Sequence, residues 1–202
     1  MLVAIVPAAG KSQRMGHSKL LLPLGPRRVI EHVLAALAGS RIDQTIVVVP
    51  PDATELRAIV RTHGAEVAQL TDPTADMRTS VVYGLDRAEQ LWGNGVLDAF
   101  LVALADQPTL SSRTVDCLIA RSHSSGRSIF IPTFGGKRGH PVLFGWKHVE
   151  QVRSLPADRG LNCLIARLPS EVEECPIDEA GLLEDLDTPQ DYERLKMSRD
   201  WR

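Results

Sequence analysis

Ala8-Ala9-Gly10-Lys11-Ser12-Gln13-Arg14-Met15-Gly16 directly follows a short apolar run, Leu2 to Val6, and sets two glycines among cations. Glycine lets backbone N–H groups come close to a phosphate, and Lys and Arg neutralise it, so this segment could cradle a triphosphate. The same residues also suit an ordinary βα turn with solvated cations, because short glycine motifs often match by chance. Two better-known phosphate motifs fail. A Walker A loop ending in Gly10-Lys11-Ser12 needs glycine at position 5, which is Ile5, and GxGxxG has no match in the loop. A second candidate is Asp106, which follows the apolar run Phe100 to Ala105 and should project from the carboxyl end of a central strand, where open α/β sheets place their ligands.

Charge is distributed to match. The chain has 202 residues and a formal net charge of -2. Met1 to Ile30 holds five cations and no acid, whereas Leu168 to Glu193 holds ten acids and neither Lys nor Arg. Such a chain offers no long-range field to a polyanion but could bind a phosphorylated or metal-bound ligand, and most of the acidic block reads as a solvated face. With nine aromatic residues there is little from which to build base-stacking platforms, so nucleic acid is not expected as a partner. Cys117, Cys163 and Cys175 are widely spaced and form no CxxC pair, which suits a reducing compartment rather than a disulfide or zinc scaffold. Cys117 and Cys163 fall within apolar helical patterns and read as core residues. The apolar start is broken by Pro7 and Lys11 well short of a membrane span, so the expectation is a soluble, cytoplasmic protein that meets no membrane.

These groups must be positioned by alternating elements. Leu2 to Val6, Thr45 to Val49, Val67 to Leu70 and Ala99 to Leu104 are apolar runs suited to strands buried on both faces. Between them, Arg28 to Ala38, Thr54 to His63 and Met77 to Leu91 carry helical periodicity, which predicts βαβ units and a doubly wound α/β sheet. Beyond Pro108, Ser111 or Ser112 could cap a helix reaching Ser122. Ser128 to Ile131 and Pro141 to Phe144 read as strands around a Gly135-Gly136 turn. Asp158-Arg159-Gly160 precedes a helical stretch from Leu161 to Arg167, and Thr188 caps a final helix opening at Pro189. No repeat or linker divides the chain.

Pro7 through Leu24 resembles the AAGxSxRMGxxKLLLPL signature of the nucleotidyltransferases that include molybdenum cofactor cytidylyltransferase and guanylyltransferase. Met77-Arg78-Thr79-Ser80-Val81, Leu104-Ala105-Asp106-Gln107-Pro108, Gly139 to Phe144 and Asp185 to Tyr192 continue the likeness in family order over almost the whole chain. The resemblance implies a single nucleotidyltransferase domain over residues 1–202, with a mostly parallel Rossmann-like sheet. It gives catalytic roles to Arg14, Lys19 and Asp106. Ala8, Ala9 and Gly10 would contact the nucleotide through their backbone, and Arg14 and Lys19 would bind the triphosphate. Asp106 and Asp187 would hold Mg²⁺, which favours few protein carboxylates plus phosphate oxygens and water. Asp185 is either a further metal-site carboxylate or a solvated one.

Ser80 falls in the block that resembles the family's nucleobase-contacting loop, although a mid-helix serine facing solvent fits the pattern nearly as well. His140 would lie near the acceptor; alternatively it is a turn histidine with a local hydrogen bond. The family pattern with Ala-Ala-Gly favours CTP, and that with Ala-Gly-Gly favours GTP, so Ala8-Ala9-Gly10 points to CTP. A β-carbon at position 9 would restrict a purine, with a discrimination on the order of 1–3 kcal/mol. The implied reaction joins CMP to the phosphate of a molybdopterin-type cofactor and releases pyrophosphate, with a molybdoenzyme as the recipient. Two departures stand out. Asp76 replaces the family's usual glycine and would repel a triphosphate if it faced one. Leu161-Asn162 stands where Ala-Arg is common, which opens the choice of another phosphorylated acceptor. A non-catalytic nucleotide- or cofactor-binding accessory protein is the alternative of a different class, hinted at only by Asp76.

Overall fold

The computed structural model describes residues 1–10, 19–72, 76–156, 159–198 and 201. Lys11, Arg14 and Asp158 therefore lie outside the described residues. The chain begins with β1 (Leu2–Pro7), followed by a small hairpin of β2 (Pro23–Leu24) and β3 (Arg27–Arg28) and then α1 (Val29–Ala38). Next come β4 (Gln44–Val49), α2 (Thr54–Thr62), β5 (Glu66–Gln69), α3 (Met77–Trp92), β6 (Ala99–Val102) and α4 (Ser112–Ser124). The last part contains β7 (Ile129–Phe134), β8 (Lys137–Arg138), β9 (Val142–Gly145), α5 (Val149–Arg153), α6 (Leu161–Arg167), β10 (Val172–Pro176) and α7 (Pro189–Ser198).

The main sheet runs β10-β7-β9-β6-β1-β4-β5, with β8 paired to β7. β1 is parallel to both β4 and β6, whereas β9 runs antiparallel to β6 and β7. The result is the expected mixed α/β architecture around a mostly parallel sheet. From β1 the chain first builds outward through β4 and β5, then returns to place β6 on the other side of β1. The sheet thus reverses its winding between β1 and β6, which opens a crevice beyond their carboxyl ends.

Side-chain alternation explains the layers. Ala4 and Val6 of β1 join Leu34 of α1, Leu56 of α2, Val115 of α4 and Leu195 of α7 in one apolar layer. Val3 and Ile5 face the other way, toward Val81 and Leu85 of α3, Val152 of α5 and Leu164 of α6. A strand buried on both faces has no polar positions, which is why LVAIV reads as continuously apolar. Gly84 lets α3 close on this layer. A β-carbon there would stand 2.7 Å from Ile5 Cγ2 and 3.1 Å from Val48 Cγ2.

Some expectations need correction. β10 was not anticipated, because Val172-Glu173-Glu174-Cys175-Pro176 places acids on an edge strand, where charge discourages pairing with further chains. The acidic block is also more than a solvated face: Glu174 pairs with Arg138 at 2.8 Å, and Glu179 accepts hydrogen bonds from Ser111 and Thr114. Cys117 and Cys163 are only half-buried rather than core, whereas Cys175 is buried. Their periodic positions lie at the margin of the apolar stripe. No helix of the described residues is long and apolar enough to cross a membrane.

Candidate active site

The segment leaving β1 starts the site. Ala8 donates its N–H to Val48 O at 2.8 Å, which continues the register of β1 with β4 beyond Pro7. Ala8 and Ala9 are both buried, with Ala8 in the α1 layer and Ala9 in the α3 layer. Gly10 is exposed, and a β-carbon built there would have nothing among the described residues within 4 Å. The backbone thus passes from the buried Ala9 to the exposed Gly10. The methyl group of Ala9 is itself part of the apolar layer.

Lys19 begins a short 3-10 turn, Lys19–Leu21, that leads to the β2–β3 hairpin. Its Nζ lies 2.5 Å from Asp106 Oδ2 and 2.9 Å from Asp187 Oδ1. Three sequence-predicted residues therefore meet although they come from the start, middle and end of the chain. Burial lowers the proton affinity of Lys19, but the hydrogen bonds it donates to Asp106 and Asp187, and their charges, outweigh this and raise its pKa. The lysine stays an ammonium at neutral pH. Its side chain is 17% exposed and that of Asp106 21%, so the pair is largely shielded from solvent screening.

The carboxylates converge because the chain is tied at the turn after β6. Ala103 N–H donates to Ile5 O at 3.1 Å, so the path toward Asp106 leaves the sheet beside β1. Leu186 N–H then donates to Asp106 O, also at 3.1 Å, placing Asp187 next to the turn. Thr188 and Asp191 lock the beginning of α7: Thr188 N–H and Oγ1–H donate to Asp191 Oδ2, and Asp191 N–H donates to Thr188 Oγ1. The Tyr192 hydroxyl donates to Pro23 O, linking α7 back to the segment that carries Lys19.

Asp185 is exposed, yet desolvation by nearby chain and repulsion from Asp106 and Asp187 hold its carboxyl above the usual range. His140 is half-buried. Burial lowers its pKa, a shift opposed by the charge of Asp106, so the ring is neutral at neutral pH. No described residue accepts a hydrogen bond from this ring, which leaves the local-turn alternative without a partner.

Ser80 lies in the first turn of α3 and is 2% exposed, so the solvent-facing alternative is overturned. Its polarity misled a reading by residue type alone; Val81 and Leu85 show that the face is buried. Asp76 is the N-cap of α3. Its Oδ1 accepts from Thr79 N–H at 2.6 Å and its Oδ2 from Thr79 Oγ1 at 2.8 Å. Both oxygens are thus turned to the helix, as capping requires. The spacing Asp76-x-x-Thr79 was the available signal for this role.

Sequence reasoning also missed Gln107, Thr109 and Glu179, which tie the turn after β6 and the start of α4 to residues 179–182. Their individual types carry no warning of such distant partners. Among the described residues, no group of three or more His, Cys, Asp or Glu side chains could hold a metal ion. Instead, Asp106 and Asp187 share one cationic group. Two oxygen donors already converging on positive charge would suit a divalent cation such as Mg²⁺, which needs few protein carboxylates.

Comparison with known proteins bears on the family and the fold. Residues 4–172 match the family described as "MobA-like NTP transferase domain". The purine catabolism protein PucB of Bacillus subtilis is 29% identical over 205 residues, covering 96% of this chain and 96% of its own. A 2-C-methyl-D-erythritol 4-phosphate cytidylyltransferase of Streptomyces coelicolor is 34% identical, covering 97% of this chain and 66% of its own. The crystal structure of Rv0371C from Mycobacterium tuberculosis in complex with manganese has a TM-score of 0.79 and 25% identity, covering 98% of this chain and 99% of its own.

Proposed function

This chain belongs to the MobA-like NTP transferase domain family, and from that premise we propose that it is a Mg²⁺-dependent cytidylyltransferase that transfers CMP from CTP to the phosphate of a molybdopterin-type cofactor. The observation that carries the reading is the Lys19 ammonium held between Asp106 and Asp187. A phosphate oxygen of the acceptor forms a bond to the α-phosphorus of CTP, the bond from that phosphorus to the bridging oxygen breaks, and pyrophosphate leaves. Such chemistry requires two anions to be aligned and charge on the leaving group to be stabilised. No general base is needed, because the acceptor phosphate is largely ionised at neutral pH.

In this reading, the backbone of Ala8, Ala9 and Gly10 lines the nucleotide, Lys19 and Arg14 neutralise the triphosphate, and Ser80 sits on the nucleobase side. Asp106 and Asp187 would hold Mg²⁺, which when bound supplies charge neutralisation to the phosphate oxygens. His140, neutral and close enough to feel Asp106, faces the acceptor and can hydrogen-bond it without adding charge. The acceptor would then pass to a molybdoenzyme in the cytoplasm. Pyrophosphate release with CTP, GTP, ATP and UTP, with and without molybdenum cofactor, tests the reading. Turnover with CTP and cofactor is expected; absence of CTP turnover under all conditions overturns it.

A second acceptor class rests on Asn162, an exposed residue near the start of α6 where the family resemblance implies a cation. A sugar phosphate, isoprenoid precursor phosphate or phospholactate could then replace the pterin, and the name of the Streptomyces relative supports an erythritol phosphate as one such acceptor. Mass spectrometry of the cytidylylated product separates these choices.

A further inference from the structure

We infer that Gln107 is a positioning residue whose side-chain amide fixes residues 181–187 against the Asp106 turn, and thereby sets both the reach of Asp187 and the seat of Gly139-His140. This rests on the reading of Asp106, Asp187 and His140 as site residues.

Gln107 is 1% exposed, and its Nε2 donates to Leu182 O at 2.8 Å and Gly181 O at 3.2 Å. Both partners are carbonyl oxygens, which only accept, so the amino end of the amide must face them. Thr109 Oγ1 adds a third bond, to Gly181 O at 2.8 Å. Four residues beyond Leu182, Leu186 N–H is held by Asp106 O. The short stretch between these attachments leads straight to Asp187, so shifting its beginning alters the approach of that carboxylate. Shared burial of the polar groups also makes an unpaired carbonyl costly.

Gly139 meets the same carbonyl from another direction. A β-carbon at position 139 would lie 2.6 Å from Leu182 O and 3.0 Å from Leu182 Cβ. Leu182 O is thus shared by the amide of Gln107 and the close approach of the residue preceding His140. One peptide connects the proposed cation side of the site to its acceptor side. Glu179 remains anchored by Ser111 and Thr114 when the amide is removed, which gives the segment a separate attachment.

The test uses the full chain with Gln107→Leu, Gly139→Ala and Asp187→Asn. Electron paramagnetic resonance of free Mn²⁺ measures its affinity in the presence of CTP, and thermal melting measures stability in parallel. Gln107→Leu is expected to weaken Mn²⁺ binding by about 10- to 100-fold, as loss of groups orienting a metal ligand does. Gly139→Ala should weaken it in the same direction by pressing on Leu182 O. Combining Gln107→Leu with Asp187→Asn should cost less than the product of the two single effects, because both act through one carboxylate. Lower melting temperature with Mn²⁺ affinity within twofold of wild type would make Gln107 merely structural and overturn the inference. If Gln107→Leu does not fold, the same affinity criterion applied to Gly139→Ala decides. A loss with Asp187→Asn but none with Gln107→Leu overturns the positioning role alone, whereas no loss with Asp187→Asn overturns the site reading and the inference with it.

Discussion

Lys19 Nζ lies 2.5 Å from Asp106 Oδ2, and the same ammonium reaches Asp187 Oδ1 at 2.9 Å. A lysine that neutralises two carboxylates occupies the electrostatic position a divalent ion would claim. In the proposed reaction the ammonium would both compete with a divalent ion for the two aspartates and neutralise the triphosphate.

Lys19→Met should separate these roles. Without the ammonium, Asp106 and Asp187 face each other's field uncompensated, so Mn²⁺ alone is expected to bind several-fold more tightly than to wild type. Pyrophosphate release should nevertheless fall by about 100-fold or more, because a charge stabilising the leaving group is gone. Mn²⁺ titration without nucleotide and turnover with CTP check the two arms. Unchanged or weaker metal binding would rule out competition between the lysine and the ion.

Glu171 supplies a stability dependence on pH at a distance from this chemistry. Lys147 and Ser128, in that order, lower its pKa from 4.5 to about 2. Between these values the unfolded chain binds the proton more readily than the folded one, so stability is complete above about 4.5 and is lost as pH falls through about 2. Glu171→Gln should therefore melt below wild type at pH 6, with the difference shrinking between 4.5 and 2. Because Lys147 is exposed, added salt should reduce that difference at pH 6. Melting curves at several pH values and two ionic strengths measure it.

Gly84→Ala tests how closely α3 rests on the sheet. Alanine has the better helix propensity by about 1 kcal/mol, but its β-carbon would press on the fully buried Ile5 and Val48. Overpacking costs about 1–3 kcal/mol and should win, since both neighbours are held in strands with no free space to retreat. Denaturant unfolding is expected to show net destabilisation; a more stable variant would mean that the helix can lift at little cost.

How far these relationships were visible in the sequence depended on their locality. Ile5, Val47 and Leu101 sit in apolar runs, because a central strand covered on both sides leaves no polar position to confuse the pattern. Asp106 was legible from its place after such a run. Its meeting with Asp187 was available only through family resemblance, since the segment that leads to Asp187 is tied by hydrogen bonds from Gln107 and Thr109 to backbone carbonyls more than seventy residues away. Backbone carbonyls are the same in every residue type, so their partners leave no sequence signature. Ser80 shows the opposite difficulty: a polar side chain on a buried helical face reads as solvent-facing until the helix is placed.

Asp76 separates charge from capping. The residue looked adverse for a triphosphate because it replaces a glycine, yet both of its carboxylate oxygens are engaged by Thr79. Asn is about as good an N-cap as Asp, so Asp76→Asn removes the charge while keeping an acceptor for the helix. Its KM for CTP should stay within about twofold of wild type, since a charge already turned into the cap contributes little repulsion. Asp76→Ala, in contrast, should destabilise the protein by about 0.5–2 kcal/mol through loss of the cap. Steady-state kinetics and denaturant unfolding of the two variants distinguish the roles. A several-fold lower KM in Asp76→Asn would show that the carboxylate opposes the nucleotide after all, and that α3 gains its cap at the expense of substrate affinity.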